Sequence, residues 1–453
     1  MRASSATRTP LPTSRGALLL EQLGQLEQSQ WWSVDQLRDY QFKQIRRLLR
    51  HAWETAPFYR ERLTAAGYAT GGSFDGTAWL RLPLLTRRDI QSAGDAIHSN
   101  NAPAKLGRVT AIQTSGTTGE PVTVRRTEAD ALLWEALTLR DHAWHRRDFK
   151  GRLAVIRDSV DRELGEPPEG SVFDNWGPPV SEVAVTGAAG VLKPTDIETQ
   201  ALWLAGFNPD YLLTYPTNLR ALARHFAVSG ERLSNLRGVR TLSETMPADL
   251  RELCREVWGV PLHDMYSCKE LGYLALQCPE DEKRYHVMAE TVLVEILDDQ
   301  GRPCAPGEIG RVVVTSLHNY ATPLIRYELG DYAEAGLPCA CGRGLPTIER
   351  VLGRTRNLLV LPDGRRRWAS ISFKQYPEIR MVRQHQLIQH SLNDIEACLR
   401  IDAPLTATQE ARLREIILES LGHPFRLTLT YFRNEIPRGP GGKFEEFISR
   451  IAN

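Results

Sequence analysis

The stretch DIETQALWLAGFNPDYLLTY, residues 196–215, decides the fold. DIETQALWLAG (196–206) reads as a helical run, and PDYLLTY (209–215) as a strand. The same alternation extends in both directions. Strand-like runs lie at RLAVIR (152–157), TVLVEIL (291–297) and RVVVTSL (311–317). Helical runs lie at VDQLRDYQFKQIRRLLRHAWE (34–54) and ADLRELCREVW (248–258). Strands that alternate with helices predict an α/β fold with a substantial parallel sheet. The cluster DGRRR at 363–367 marks a break. Beyond it, LIQHSLNDIEACLRID, ATQEARLREIILESLG and PFRLTLTYF read strand, strand, helix, strand, a small α+β module with its own modest core. The expected organisation is a disordered tail over 1–30, a large domain over 31–356 and a small mobile domain over 357–453.

Composition excludes several classes. Formal net charge is +1, so neither nucleic acid nor an anionic membrane is implied as an obligate partner. No run of about 18 apolar residues is present, so no membrane span is expected. The basic, Ser/Thr-rich start MRASSATRTPLPTSR lacks the apolar core of a signal peptide. Seven cysteines, an odd number in a long chain, argue against a disulfide framework and for a reducing, cytoplasmic compartment.

One loop carries chemistry. In QTSGTTGEPVTV (113–124), Thr114, Ser115, Thr117 and Thr118 offer hydroxyls, while Gly116 and Gly119 permit backbone angles that other residues resist. Main-chain N–H groups in such a turn can point together and cradle phosphate oxygens. The loop is not a Walker loop, because the G-x-x-x-x-G-K-[ST] spacing is absent.

Read with the rest of the chain, TSGTTG followed by proline resembles the phosphate loop of the adenylate-forming ligases. Further motifs follow in the family's order. MYSCKELG (265–272) is similar to its Tyr-Gly-x-Thr-Glu stretch, TPLIRYELGD (322–331) to its Arg-Tyr…Gly-Asp stretch and GRTRN (353–357) to its hinge. NEIPRGPGGKF (434–444) resembles the segment that carries its mobile lysine. ETAPFYRERLTAAGY (54–68) and LPLLTRRDI (82–90) resemble the phenylacetate–CoA ligase branch, and residues 382–401 its relatives from capsular polysaccharide clusters.

The resemblance implies activation of a carboxylic acid with ATP as acyl-AMP, with transfer to a thiol or an amine. It assigns Thr114, Ser115, Gly116, Thr117, Thr118 and Gly119 to the ATP phosphates and Glu270 to Mg²⁺, a hard ion that favours oxygen ligands. It places Tyr266 against adenine, with Ser243 and Glu244 beside it, and gives the ribose to Asp331 and Arg354. Lys443 would arrive on the small domain to neutralise charge developing between the acyl oxygen and the α-phosphate. Trp176, Gly177, Tyr215, Pro216 and Cys268 fall where relatives build the acyl pocket, and an aromatic or apolar acid would suit them. The acceptor is coenzyme A, the pantetheine of a carrier protein, or an amine.

Three positions depart from the pattern. Glu120 stands where a lysine often follows the loop, and pairing with Arg125 or Arg126 would offset its repulsion of phosphate. Lys269 replaces the threonine before Glu270, and its cation could serve the loop instead. Asn357 stands where the hinge aspartate is expected.

Cys278 and His286 in CPEDEKRYH, with Cys339 and Cys341 in LPCACGR, form a second constellation. Three Cys and one His make a closed tetrahedral zinc set, structural because no position stays open. Buried free thiols with a surface His are the alternative. Two functional classes follow: an acid-activating ligase, or a zinc-stabilised binding or scaffold protein that kept the fold and lost the chemistry.

Overall fold

The computed structural model describes residues 14–68, 76–114, 121–158, 165–369, 376, 379, 381–439 and 444–451. It divides into two compact units. The first comprises Met1–Leu329 with Ala333–Val351, and the second Gly330–Tyr332 with Leu352–Asn453. The small unit therefore takes up the chain at 352, five residues before the boundary expected from the sequence.

A hairpin of β1 (Val109–Gln113) and β2 (Thr123–Thr127) precedes the main sheet. That sheet comprises β3 (Leu153–Ile156), β4 (Ser171–Phe173), β5 (Ala189–Leu192), β6 (Tyr211–Thr214), β7 (Gly238–Leu242), β8 (Leu262–Cys268), β9 (Gly272–Gln277) and β10 (Tyr285–Val287). It is completed by β11 (Val292–Leu297), β12 (Ile309–Ser316), β13 (Tyr327–Ala335) and β14 (Thr347–Arg354). Its twelve strands lie in the order β11-β12-β13-β14-β10-β9-β8-β7-β6-β3-β5-β4. The run β5-β3-β6-β7-β8 is parallel. Helices Ile197–Phe207, Pro216–Ser229 and Leu250–Trp258 connect its later strands, as the opening stretch of sequence required. The runs at 291–297 and 311–317 are also strands, but they form the antiparallel pair β11 and β12.

The small unit holds a hairpin of β15 (Leu358–Val360) and β16 (Arg366–Trp368) and a four-stranded sheet. The sheet comprises β17 (Val382–Gln389), β18 (Asp394–Ile401), β19 (Arg426–Phe432) and β20 (Phe447–Ser449), in the order β19-β18-β17-β20. Helix Ala407–Leu421 contributes Leu413, Ile416, Ile417 and Leu421 to a core shared with Leu387, Ile395 and Leu399. This is the α+β module read from the sequence.

The N-terminus corrects the sequence reading. Residues 14–29, expected within a disordered tail, form a helix. Leu19 and Leu26 on it are buried, and burying a leucine side chain is worth about 1.5–3 kcal/mol. An ion pair fixes the helix further. The Arg140 guanidinium, fully buried, donates to both carboxylate oxygens of Glu290 at 2.8 and 3.2 Å. It also donates to the Leu26 carbonyl, and Ser29 Oγ donates to Glu290 Oε1 at 2.7 Å. Charged residues separated by about 150 positions in sequence give no periodic signal, so composition alone reads the segment as solvated.

Removing one partner of a buried pair strands the other charge. Arg140→Ala should lower the unfolding free energy by about 3–5 kcal/mol in urea titrations. Arg412→Ala, which breaks a half-exposed pair with Glu415 at 3.0 Å, should cost less than about 0.5 kcal/mol in the same assay.

Candidate active site

In a parallel sheet the strands end on a common edge, and ligands of open α/β sheets bind there. Five of the sequence-predicted residues sit at consecutive strand ends. Tyr215 and Pro216 follow β6 and open helix Pro216–Ser229. Ser243 and Glu244 follow β7. Tyr266 lies near the end of β8, buried, one position past Met265, which pairs with Leu242. A register shift between Tyr266 and Ser267 bends this strand beside the site.

Ser243 adopts φ +70°, left-handed backbone that costs a non-glycine residue on the order of 1–3 kcal/mol. Its neighbour helps hold it there. Glu244 Oε2 accepts from Thr217 N at 3.1 Å and Thr217 Oγ1 at 2.7 Å, so its carboxylate caps the helix that starts at Pro216. The carboxylate expected near adenine thus has a structural task as well.

The loop expected to bind phosphate lies between β1 and β2 in sequence. Ser115, Gly116, Thr117, Thr118, Gly119 and Glu120 lie outside the described residues, as does Lys443. Thr114 closes the base of the loop. Its N–H donates to the Val122 carbonyl at 2.9 Å, and its hydroxyl oxygen accepts from Val122 N at 3.1 Å. The same oxygen accepts from Arg87 Nη2 at 3.2 Å.

Arg87 is the residue that sequence reasoning missed. It is the first residue of helix Arg87–Ala93, whose start is fixed by a capping box between Thr86 and Asp89. From there its guanidinium reaches Thr114 and stands 3.8 Å from Glu270 Oε1. Glu270 is buried in the turn between β8 and β9, whereas Lys269 before it is exposed. The loop base, the carboxylate expected to hold Mg²⁺ and a cation are thereby brought together. Of the two arginines considered as partners for Glu120, which lies outside the described residues, Arg125 pairs with Asp95 at 2.6 Å, and Arg126 pairs with Asp130 at 3.4 Å and lies over the face of Trp134.

Two pocket residues are not at this edge. Trp176 packs on Tyr211, Phe149 and His142, and its Nε1 donates to the Gly151 carbonyl at 2.9 Å. Tyr211, Phe149 and Gly151 lie at or just before the starts of β6 and β3, His142 lies near the end of helix Glu128–Trp144, and Gly177 has φ +77°. An indole that shares a core with Leu19, Leu139 and Val180 is packing. Cys268, by contrast, closes β8, half-buried.

In the small unit, Arg354 Nε stands 3.5 Å from Asp331 Oδ1, so the two residues assigned to ribose are neighbours. Asn357 donates through Nδ2 to the Phe447 carbonyl at 2.6 Å and accepts from Arg354 N at 2.8 Å.

The cysteine cluster is assembled. Cys278 follows β9, His286 lies in β10, and Cys339 and Cys341 lie between β13 and β14. Their ligand atoms all lie within 4.8 Å of one another, with Cys278 Sγ to Cys339 Sγ at 3.7 Å and Cys341 Sγ to His286 Nε2 at 3.3 Å. Two thiolates about 2.3 Å from a tetrahedral zinc would stand about 3.8 Å apart. The residues present fit that ion.

Residues 85–321 match the model of the AMP-binding enzyme family. The chain is 28% identical over 351 residues to the phenylacetate-coenzyme A ligase of Thermus thermophilus, 72% of each chain. It is 23% identical over 383 residues to protein CapK of Staphylococcus aureus, 82% of this chain and 80% of that one. Its fold is similar to that of 2-hydroxyisobutyryl-CoA ligase in complex with its acyl adenylate: TM-score 0.67, 16% identity, 90% of this chain and 88% of that one. The chain belongs to the AMP-binding enzyme family, and the resemblance drawn from the ordered motifs holds. These matches do not favour the scaffold reading. No helix among the described residues is long and apolar enough to cross a membrane.

A buried carboxyl just before Tyr266 gives the site a pH signature. Asp264 accepts from Thr241 Oγ1 at 2.7 Å and Tyr285 OH at 2.8 Å, and burial raises its pKa to about 6. The folded state then holds a proton that the unfolded state has released between about pH 4 and 6. Stability from this group falls as pH rises through that window, by on the order of 3 kcal/mol. Asp264→Asn should remove that slope from urea unfolding measured at pH 4, 5 and 6.

Proposed function

We propose that this protein activates a small carboxylic acid with ATP, forming acyl-AMP and pyrophosphate, and passes the acyl group to the thiol of coenzyme A. The observation that carries this reading is the convergence of Thr114, Arg87 and Glu270 beside the strand ends that present Ser243 and Tyr266.

The chemistry explains why those residue types meet. Attack of a carboxylate on the α-phosphate brings two anions together, and negative charge grows on the phosphorus oxygens and on departing pyrophosphate. Donors fixed in place before reaction lower that barrier most. Arg87 supplies a cation at the loop base that the loop, with Glu120 after its last glycine, lacks. Glu270 is placed to hold Mg²⁺, which would neutralise phosphate oxygens. Tyr266 offers an aromatic face for adenine, Asp331 and Arg354 take the ribose, and Lys443 acts when the small domain closes. Tyr215, Pro216 and Cys268 bound the acyl pocket. Cys278, His286, Cys339 and Cys341 hold a structural zinc ion. Four protein ligands would leave no position open, so these residues would fix the loop before β14 and no step of the reaction would run through them.

Pyrophosphate release from ATP should depend on the acid when pools of carboxylic acids are screened. Lys443→Ala should lower it by at least about 10²-fold, and Arg87→Ala should raise the KM for ATP by about 10-fold. Added coenzyme A should yield the acyl thioester. Transfer only to an amine or to a carrier pantetheine would move the proposal to those acceptors, and no acid-dependent release from any pool would defeat it.

The purified protein should carry one zinc per chain by elemental analysis. Cys341→Ser should lose it and lower the thermal midpoint. A metal-free wild type with an unchanged midpoint would leave the cluster as packed thiols.

A further inference from the structure

The opposite edge of the parallel sheet holds a second pocket, of about 270 Å³. It is lined by His145, Arg146, Arg147 and the carboxylate Asp148 after helix Glu128–Trp144, by Tyr211 at the start of β6, by Arg237 before β7 and by His263 at the start of β8. Nothing in the proposed reaction uses it.

Its charges do not cancel. Asp141 takes Arg147 at 2.7 Å and Arg240 at 2.5 Å. Asp148 and Asp210 both take Arg237, at 3.2 and 3.1 Å. Arg146 is exposed and has no carboxylate partner among the described residues. Nor are the donors spent. Arg147, its side chain 3% exposed, keeps Nη2 buried and without a hydrogen-bond partner. A buried guanidinium N–H without an acceptor is costly unless something supplies one. The His263 ring is stacked on His145 at 3.7 Å and makes no hydrogen bond to a described residue. Burial holds both rings neutral; the His145 N–H is taken by the Gln277 backbone, while His263 keeps one N–H to donate.

Arg146 itself stands at conformational cost. The helix ends in a Schellman arrangement: Arg147 N donates to the His142 carbonyl at 3.1 Å and Arg146 N to Ala143 at 3.0 Å. Arg146 occupies the left-handed position, φ +48°, which helix ends usually give to glycine. Stability alone favours glycine there, so the cation has another use.

We propose that this pocket binds a phosphate-bearing anion, held by Arg146 and by the His263 ring, with the buried Arg147 cation behind them. Its volume exceeds that of one tetrahedral anion, so it has room for the organic part of a phosphate monoester. The site lies at the amino ends of β6–β8, whereas the nucleotide edge is at their carboxyl ends.

The test follows the His263 ring signal by NMR, assigned with His263→Gln, while inorganic phosphate is added at pH 7 in the presence of saturating ATP. The expected result is a saturating shift in the ~1–10 mM range, weakened at least ~10-fold in Arg146→Glu and in Arg146→Gly. Arg146→Gly should also raise the thermal midpoint, which separates lost binding from lost folding. Acid-dependent pyrophosphate release, where present, should be unchanged in both variants. A sugar phosphate that shifts the signal at lower concentration than inorganic phosphate assigns the pocket to a phosphorylated metabolite, and equal responses assign it to free phosphate. No shift, or the same shift in Arg146→Glu, overturns the proposal.

Discussion

Parallel pairing of β6, β7 and β8 is the constraint on which the rest of this protein depends. Parallel strands cannot be joined by tight turns, so each needs a helix to return the chain. Every return then leaves the carboxyl edge and re-enters at the amino edge. Tyr215, Ser243 and Tyr266, far apart in sequence, reach one edge for this reason alone. The strained backbone at Ser243 is supported by the same geometry. Glu244 reaches sideways to the helix that begins at Pro216, and its carboxylate meets the N–H groups that a helix start leaves unpaired. Adjacent strand ends thus brace each other.

Charge placement follows a second logic. A glycine-rich loop binds phosphate through backbone N–H groups, and those cannot carry the whole charge of triphosphate. A fixed cation at the loop base, Arg87, comes from a helix that precedes the loop in sequence. Its bond to Thr114 ties it to the loop, and Glu270 at 3.8 Å keeps it from being a bare charge in a half-buried site. Lys269, the cation that the sequence offered for this task, points to solvent.

What the sequence revealed and what it hid divide along the range of the interactions. Residues 196–215 were legible because helix and strand are local, and the α+β module after 363 was legible for the same reason. The order of the ligase motifs was legible because the chemistry demands particular residue types. The helix at 14–29 was not, since its stability rests on Arg140 and Glu290, more than a hundred residues away. Arg87 was quoted within a motif and given no role, because nothing local says that an arginine at a helix start will face Thr114. Trp176 misled for the opposite reason. Its neighbours in sequence fit a pocket, but its neighbours in space are the core at the strand starts.

Asn357 shows how a departure from a motif can be read physically once its surroundings are known. The expected aspartate has only acceptors. Asn357 accepts from Arg354 N, as a carboxylate could, and also donates to the Phe447 carbonyl at 2.6 Å. An aspartate in this arrangement would set a negative oxygen against that carbonyl and lose the bond to the strand β20. The amide therefore ties the turn at 355–357 to the last strand of its unit, beside the pairing of Arg356 with Glu445 at 2.6 Å. Lys443 lies two residues before Glu445 and four before Phe447. The turn where the small unit takes up the chain is thus tied to the segment at 445–447 by hydrogen bonds from two adjacent residues, Arg356 to Glu445 and Asn357 to Phe447.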